Sequence, residues 1–278
     1  MTISFRTALG FALSTLVAGL VAGCAGGAAD PAEAQVAADG SQAMTASAQS
    51  TDLGSVVFAN VDVADPGAAA AELAVGAKLW PLGCVSRARD TADPAVVHVT
   101  FTDCTGPFGL VHIDGEEDVT LSAGANGALQ AQIASVSPTA NGKPISHSGT
   151  AEITFPSATT REVVWTGSYT RVDDLGDTVA HASDLEISAD LVSGCNTASG
   201  SARTMVAARE VDTAVNQYKL CRDPTTGAVG CPSGSVVHTG KLSGRTVSIA
   251  FDDSDVAQVT GPRGDTFDEN LVCTSIGR

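Results

Sequence analysis

The chain has 278 residues, and its 31 acidic residues outnumber its 15 basic ones, which gives a formal net charge of −16. This balance argues against a nucleic-acid partner, because phosphate backbones are bound by clusters of Lys and Arg, and Arg87-Ala88-Arg89 is the densest basic stretch. Only 4% of the residues are aromatic, whereas Gly, Ala, Val, Ser and Thr are abundant. That mixture is typical of β-strands joined by tight turns.

The first 23 residues have the pattern of a secretory signal. Arg6 is the one charged residue among them, and the stretch from Ala8 to Gly23 is uncharged and mostly apolar. It is short and glycine-rich for a permanent transmembrane helix. We therefore predict a cleaved signal peptide over residues 1–23.

The end of this segment, Val21-Ala22-Gly23-Cys24, resembles the lipobox of bacterial lipoproteins, in which an aliphatic residue and two small residues precede a cysteine. The resemblance covers the first 24 residues and implies that Cys24 is lipidated and begins the mature chain. Two or more acyl chains hold a protein firmly to a membrane. The same resemblance, with Ala25 in place of an aspartate, implies an extracytoplasmic lipoprotein of the cell envelope, sorted to the outer membrane. The alternative is a plain secretory signal in which Cys24 is incidental.

Residues 24–54 contain almost no large apolar side chain, so they bury too little surface to offset the entropy of an ordered chain. We predict a disordered tether here, with a helical stretch in its Ala-rich parts as the alternative. Loss of residues 1–23 removes Arg6 and no acid, which leaves 14 basic and 31 acidic residues and a net charge of −17.

Residues 55–278 are predicted to form one β-domain, with two similar β-units as a second reading. It begins with one short helix: Asp65 is placed as N-cap, Pro66 at the first position, an Ala-rich run follows, and Gly76 ends it.

From Ala95 onward, apolar residues alternate with polar ones, a pattern that indicates strands with one buried face and one exposed face. Turn residues separate about ten to thirteen such runs. The fold class is therefore all-β: an antiparallel meander that forms a sandwich or barrel-like domain. The alternating runs include Val97, Val99 and Phe101; Ala151, Ile153 and Phe155; Val163, Trp165 and Tyr169; Leu185, Ile187, Ala189 and Leu191; and Val247, Ile249 and Phe251.

Six cysteines remain after Cys24, and an even number in an exported chain indicates disulfides. Fifteen pairings are formally open for six cysteines. We prefer three pairs, namely Cys84 with Cys104, Cys221 with Cys231 around a turn rich in Asp, Pro and Gly, and by elimination Cys195 with Cys273.

Metal and catalytic motifs are not evident. The histidines (His98, His112, His147, His181 and His238) have no zinc-site spacing, and we interpret them as strand residues with solvent or backbone partners. Four acidic groups are interpreted as solvated turns, with a calcium site as the alternative. These groups are Asp114, Glu116, Glu117 and Asp118; Asp173, Asp174 and Asp177; Asp252, Asp253 and Asp255; and Asp265, Asp268 and Glu269.

The sequence has no nucleophile elbow, metalloprotease helix or phosphate-binding loop, so we assign no catalytic residue, metal or cofactor. The leading hypothesis is a non-catalytic binding or structural module of the envelope, with another protein or a glycan as partner. The alternative is a small-molecule or lipid carrier, or a hydrolase, with a pocket enclosed by the sheet. A tightly packed inner face would favour the binding or structural module, whereas a hollow lined by Gly and Ala would favour the carrier or hydrolase.

Overall fold

The structure, a computed structural model, describes residues 38–40, 42–43, 45–46, 64–73, 79, 81, 83–105, 111–173, 175–223, 225, 228–271 and 273. The predicted signal peptide, Cys24 and Gly76 lie outside these residues, and so does most of the predicted tether.

Strands account for most of the described chain, as the alternating pattern predicts. They are β1 (Val85–Arg89), β2 (Val96–Cys104), β3 (Ile113–Ala123), β4 (Leu129–Ser135), β5 (Thr139–Ala140), β6 (Lys143–Thr154), β7 (Thr160–Val172), β8 (Thr178–Asp190), β9 (Cys195–Val206), β10 (Arg209–Cys221), β11 (Ser233–Gly240), β12 (Thr246–Asp252), β13 (Val256–Thr260) and β14 (Thr266–Asn270).

All fourteen strands belong to one sheet, whose order follows the chain from β1 to β14 except that the two-residue strand β5 pairs with β3 and β6 beside the main path. Each strand is antiparallel to its neighbours. The predicted all-β antiparallel meander is therefore confirmed.

One face of the sheet is buried and the other is exposed. In β7, Val163, Trp165 and Tyr169 point to the buried side, and the alternate residues Val164, Thr166 and Ser168 point to solvent. We call the buried side the inner face. It carries two hydrophobic clusters, one spread over β1 to β9 and one over the last strands around Ile249 and Phe251.

The predicted short helix is confirmed at Pro66–Glu72. The side chain of Asp65 caps it by accepting a hydrogen bond from the Ala68 backbone N–H at 2.8 Å. Ala69, Ala70 and Leu73 are buried in the larger cluster, so this helix packs on the inner face.

The described residues between 38 and 46 are also helical. Ala43 and Ala46 are fully buried, the Asp39 carboxylate accepts a hydrogen bond from Arg209 Nε of β10 at 2.9 Å, and Arg171 of β7 donates to Gln42. This part of the segment corresponds to the helical alternative, and small side chains let it lie close to the sheet.

Three disulfides are present, and one of the three predicted pairs is confirmed. Cys84 is bonded to Cys104, across the β1–β2 hairpin. The other two predicted pairs are wrong, because the bonds join Cys195 to Cys221 and Cys231 to Cys273.

The register of the strands explains the correction. Cys195 and Cys221 are directly opposite each other on β9 and β10, with Cα atoms 3.9 Å apart. The turn that follows brings Gly230, not Cys231, beside Cys221, since the Gly230 N–H donates to the Cys221 carbonyl at 2.9 Å. A shift of one residue along an extended chain reverses the side-chain direction. Cys231 is thereby directed to Cys273, beyond β14.

Candidate functional site

Polar side chains line up across the inner face, in phase with the apolar residues of their strands. His147 on β6 is opposite Tyr169 on β7, which is opposite His181 on β8, which is opposite Thr204 on β9. Side chains directly opposite on adjacent strands are neighbours on one face. We define the interior polar row as these four residues together with Glu117 of β3, Thr213 of β10 and His238 of β11; every member is at most 3% exposed.

A carboxylate and an imidazole pair at one end of the interior polar row. His147 Nδ1 lies 2.7 Å from Glu117 Oε1, and both side chains are fully buried. The His147 backbone N–H also donates to Ser135 Oγ at 3.1 Å, which holds β6 beside β4 at this level. The second atom of each partner, Glu117 Oε2 and His147 Nε2, is buried without a hydrogen-bond partner.

Two further histidines are bonded to threonine hydroxyls. His181 Nδ1 lies 2.9 Å from Thr204 Oγ1, and His238 Nδ1 lies 2.9 Å from Thr213 Oγ1. Burial lowers the pKa of both imidazoles to about 4, and neighbouring histidines add to the effect. Both rings are therefore neutral near pH 7, and each has one donor and one acceptor nitrogen.

Tyr169 lies between His147 and His181 in the interior polar row. Its hydroxyl is buried without a hydrogen-bond partner, and burial raises its pKa above the usual range. The group is a neutral phenol that can both donate and accept.

A large indole ring, that of Trp165, lies beside the interior polar row on the inner face. Trp165 lies over the paired glycines Gly149 and Gly167, and a Cβ at Gly167 would come within 2.7 Å of its Cε2 atom. Its Nε1 donates to Ser183 Oγ at 3.2 Å, and its ring centre is 6.1 Å from that of His147. The two glycines thus make room for the one large side chain at this position.

The arrangement presents four buried polar atoms that the chain itself leaves unpartnered: Glu117 Oε2, His147 Nε2, Tyr169 Oη and His238 Nε2. An unsatisfied buried polar atom costs about 1–3 kcal/mol, so native interiors supply water or a ligand to such atoms. Four of them on one face leave donors and acceptors that an ordered water or a polar ligand would satisfy.

The interior polar row offers less support for a metal site or a catalytic nucleophile than for binding of a polar molecule. Among the described residues, no group of three or more His, Cys, Asp or Glu side chains is arranged to hold a metal ion. The Glu117–His147 pair resembles the acid and base of a catalytic triad, but His147 Nε2, where a nucleophile would bond, has no partner.

The other histidines lie at the surface and bond to carboxylates. His98 contacts Asp118 at 2.7 Å and Asp90 at 3.0 Å, and these contacts raise its pKa. His112 contacts Asp103 at 2.6 Å. The placement of the histidines in strands is confirmed for all but His112, which precedes β3. The expected solvent or backbone partners are wrong, because all five histidines bond to another side chain.

The acidic groups are placed differently from one another. Asp114 to Asp118 lie within β3 and not in a turn, which corrects that interpretation, and Glu117 alone of the group is fully buried. Asp173 and Asp177 do flank the β7–β8 turn, where Asp173 accepts from backbone N–H groups, while Asp174 lies outside the described residues. Asp253 and Asp255 lie between β12 and β13, whereas Asp268 and Glu269 are in β14.

A recess lies on the exposed face of β3, β4, β6 and β7. It has a volume of about 420 Å³ and is lined mainly by outward-facing side chains such as Gln130, Gln132, Thr150, Glu152 and Thr166. These residues also belong to the exposed surface, so the recess is a groove in contact with solvent.

The chain was compared with families, curated proteins and solved structures. Nothing matches. Neither a family model, nor a curated protein, nor a solved structure shows significant similarity. Within the described residues, no helix has the length and apolar character needed to span a membrane.

Proposed function

We propose that this protein is a lipid-anchored, extracytoplasmic binding protein of the cell envelope that holds a small polar ligand at the interior polar row. The four buried, unpartnered atoms of Glu117, His147, Tyr169 and His238 are the observation that carries the proposal.

Two features support the compartment. The segment Val21-Ala22-Gly23-Cys24 resembles the lipobox of bacterial lipoproteins, in which the cysteine, here Cys24, carries the acyl anchor. All six remaining cysteines are joined in disulfides, a state that persists in oxidising compartments outside the cytoplasm.

The polarity of the inner face favours a ligand with hydrogen-bonding groups. A purely apolar guest would leave the Tyr169 hydroxyl and the Glu117 carboxylate oxygen unsatisfied in a dry interior, which is costly. A guest with both donors and acceptors would satisfy the phenol, the carboxylate and the two imidazole nitrogens together. Binding without chemistry is favoured over hydrolysis because His147 Nε2 lacks a bonded nucleophile.

Native mass spectrometry of the protein extracted from its own membranes tests the proposal. We expect an acylated chain that carries an additional small molecule. Tyr169→Phe removes one hydroxyl and keeps the ring, so it should weaken retention of that molecule by about tenfold, the loss of roughly one hydrogen bond.

Tyr218→Phe is the matched control, since Tyr218 packs edge-on against Phe251 in the other hydrophobic cluster. It should leave the retained molecule unchanged. A chain that carries no guest under any extraction condition, together with a Tyr169→Phe variant more stable than the wild type, would show that the interior polar row is only hydrated structure.

A further inference from the structure

Arg87 is a buried cation on the first strand. It lies in the middle of β1 opposite Val99, which is fully buried, so its side chain belongs to the inner face. All three of its guanidinium nitrogens are buried and have no hydrogen-bond partner. Among the ion pairs of the described residues, none includes Arg87.

A second arginine lies close to it. Burial is the main cause that lowers the pKa of Arg87 to about 10, and the positive charge of Arg222, which follows β10, lowers it further. Arg222 is therefore near enough for its positive charge to act on the Arg87 guanidinium.

The composition of the chain favours a carboxylate, not a second cation, as the neighbour of a buried arginine. The chain has twice as many acidic as basic residues, so a carboxylate partner for a buried arginine is easy to supply, yet the chain places a cation beside it. A guanidinium remains charged at neutral pH, and an unpaired buried charge carries a free-energy cost for the folded state. Such a cost is removed when an anion binds between the two groups.

We propose that Arg87 and Arg222 form a binding site for a small oxyanion, a carboxylate or a phosphate group. The planar guanidinium presents parallel N–H donors that match two oxygens of either group. Val99 is opposite both Arg87 and Glu117, so the site lies beside the interior polar row and differs from it in charge.

The test uses the full, detergent-extracted chain and two probes, inorganic phosphate and acetate, at constant ionic strength. Calorimetric titration should show binding of at least one probe to the wild type, and the one that binds more tightly identifies the class of anion. Arg87→Gln should weaken that binding at least tenfold. Arg89→Gln is the matched control on the same strand, because Arg89 is exposed and donates to the Pro94 carbonyl, and it should bind as the wild type does.

Thermal unfolding without added probe supplies a second measurement. Arg87→Gln removes an unpaired buried charge, so it should melt at a higher temperature than the wild type, and added probe should raise the melting temperature of the wild type alone. Absence of binding of both probes to the wild type, or equal binding to Arg87→Gln, would overturn the proposal. Tyr169→Phe should leave probe binding unchanged, so that failure here and failure of the proposed interior ligand are separable.

Discussion

Replacing Gly149 with alanine is expected to destabilise the fold, because the added methyl group has no free space. A Cβ at this position would lie 2.6 Å from Cζ2 and 2.8 Å from Cζ3 of Trp165, closer than real Cβ atoms approach other atoms. The indole must therefore move. Trp165 is 1% exposed and bonded to Ser183, so its movement disturbs a packed face and a buried hydrogen bond.

The expected magnitude follows from these two effects. Overfilling a packed interior costs about 1–3 kcal/mol, and the lost hydrogen bond costs about 1 kcal/mol. We expect the free energy of unfolding to fall by about 3 kcal/mol. For a domain of this size that corresponds to a melting temperature roughly 6–12 °C lower, measured by circular dichroism.

Two controls make the experiment decisive. Gly261→Ala adds the same methyl group where the nearest atom would be 3.7 Å away, so its stability should stay within about 0.5 kcal/mol of the wild type. Combining Gly149→Ala with Trp165→Phe, which removes the crowded ring, should cost about 1 kcal/mol less than the sum of the single changes. If Gly149→Ala unfolds like the wild type, or if the two changes are additive, the close approach of Trp165 to the backbone is refuted.

Three further predictions concern pH, the disulfides and the anchor. Burial lowers the folded-state pKa of His181 and His238 to about 4, below the unfolded value near 6.5, so the unfolded chain binds more protons at acidic pH. The free energy of unfolding should therefore be highest above pH 6.5 and fall as the pH drops toward 4, by on the order of 2 kcal/mol per histidine at pH 5. His238→Gln should reduce this dependence on pH, measured by urea unfolding at several pH values. Replacing Cys231 and Cys273 together by serine opens a 42-residue loop and should cost about 4 kcal/mol in denaturant unfolding; an unchanged midpoint would argue against this pairing. Cys24→Ala should release the protein from membranes on fractionation, and a variant that stays membrane-bound would contradict lipidation at this residue.

The strands with strict alternation could be predicted from the sequence. Val97, Val99 and Phe101 fall on the inner face of β2, and Val163 and Trp165 on that of β7, because a two-residue period with one apolar side leaves a strand little choice of face. The same rule explains why β9 was harder to predict. Most of its residues are small and only partly buried, so no face of it is distinctly apolar.

The interior polar row was missed although a signal for it was present. His147 is in phase with Ala151 and Ile153, and His181 with Leu185 and Ile187, so alternation alone directs both imidazoles inward. Residue type alone favours solvent for a histidine and a turn for the acidic run around Glu117, but the position of each residue along its strand decides which way its side chain points. The pairing of Glu117 with His147, by contrast, depends on which strands become neighbours, and a single sequence does not reveal that.

The strand order carries a consequence for how the chain acquires its structure. Almost every strand bonds to the strands immediately before and after it in the chain, and the widest disulfide joins residues 42 positions apart. Folding can therefore advance from the amino-terminal end, hairpin by hairpin, while the remainder is still being delivered, since no early strand waits for a late one to complete its hydrogen bonds on the main path. A polypeptide that crosses a membrane in an extended state before it folds gains from such an order, because each strand that emerges can pair at once with the strand that emerged just before it.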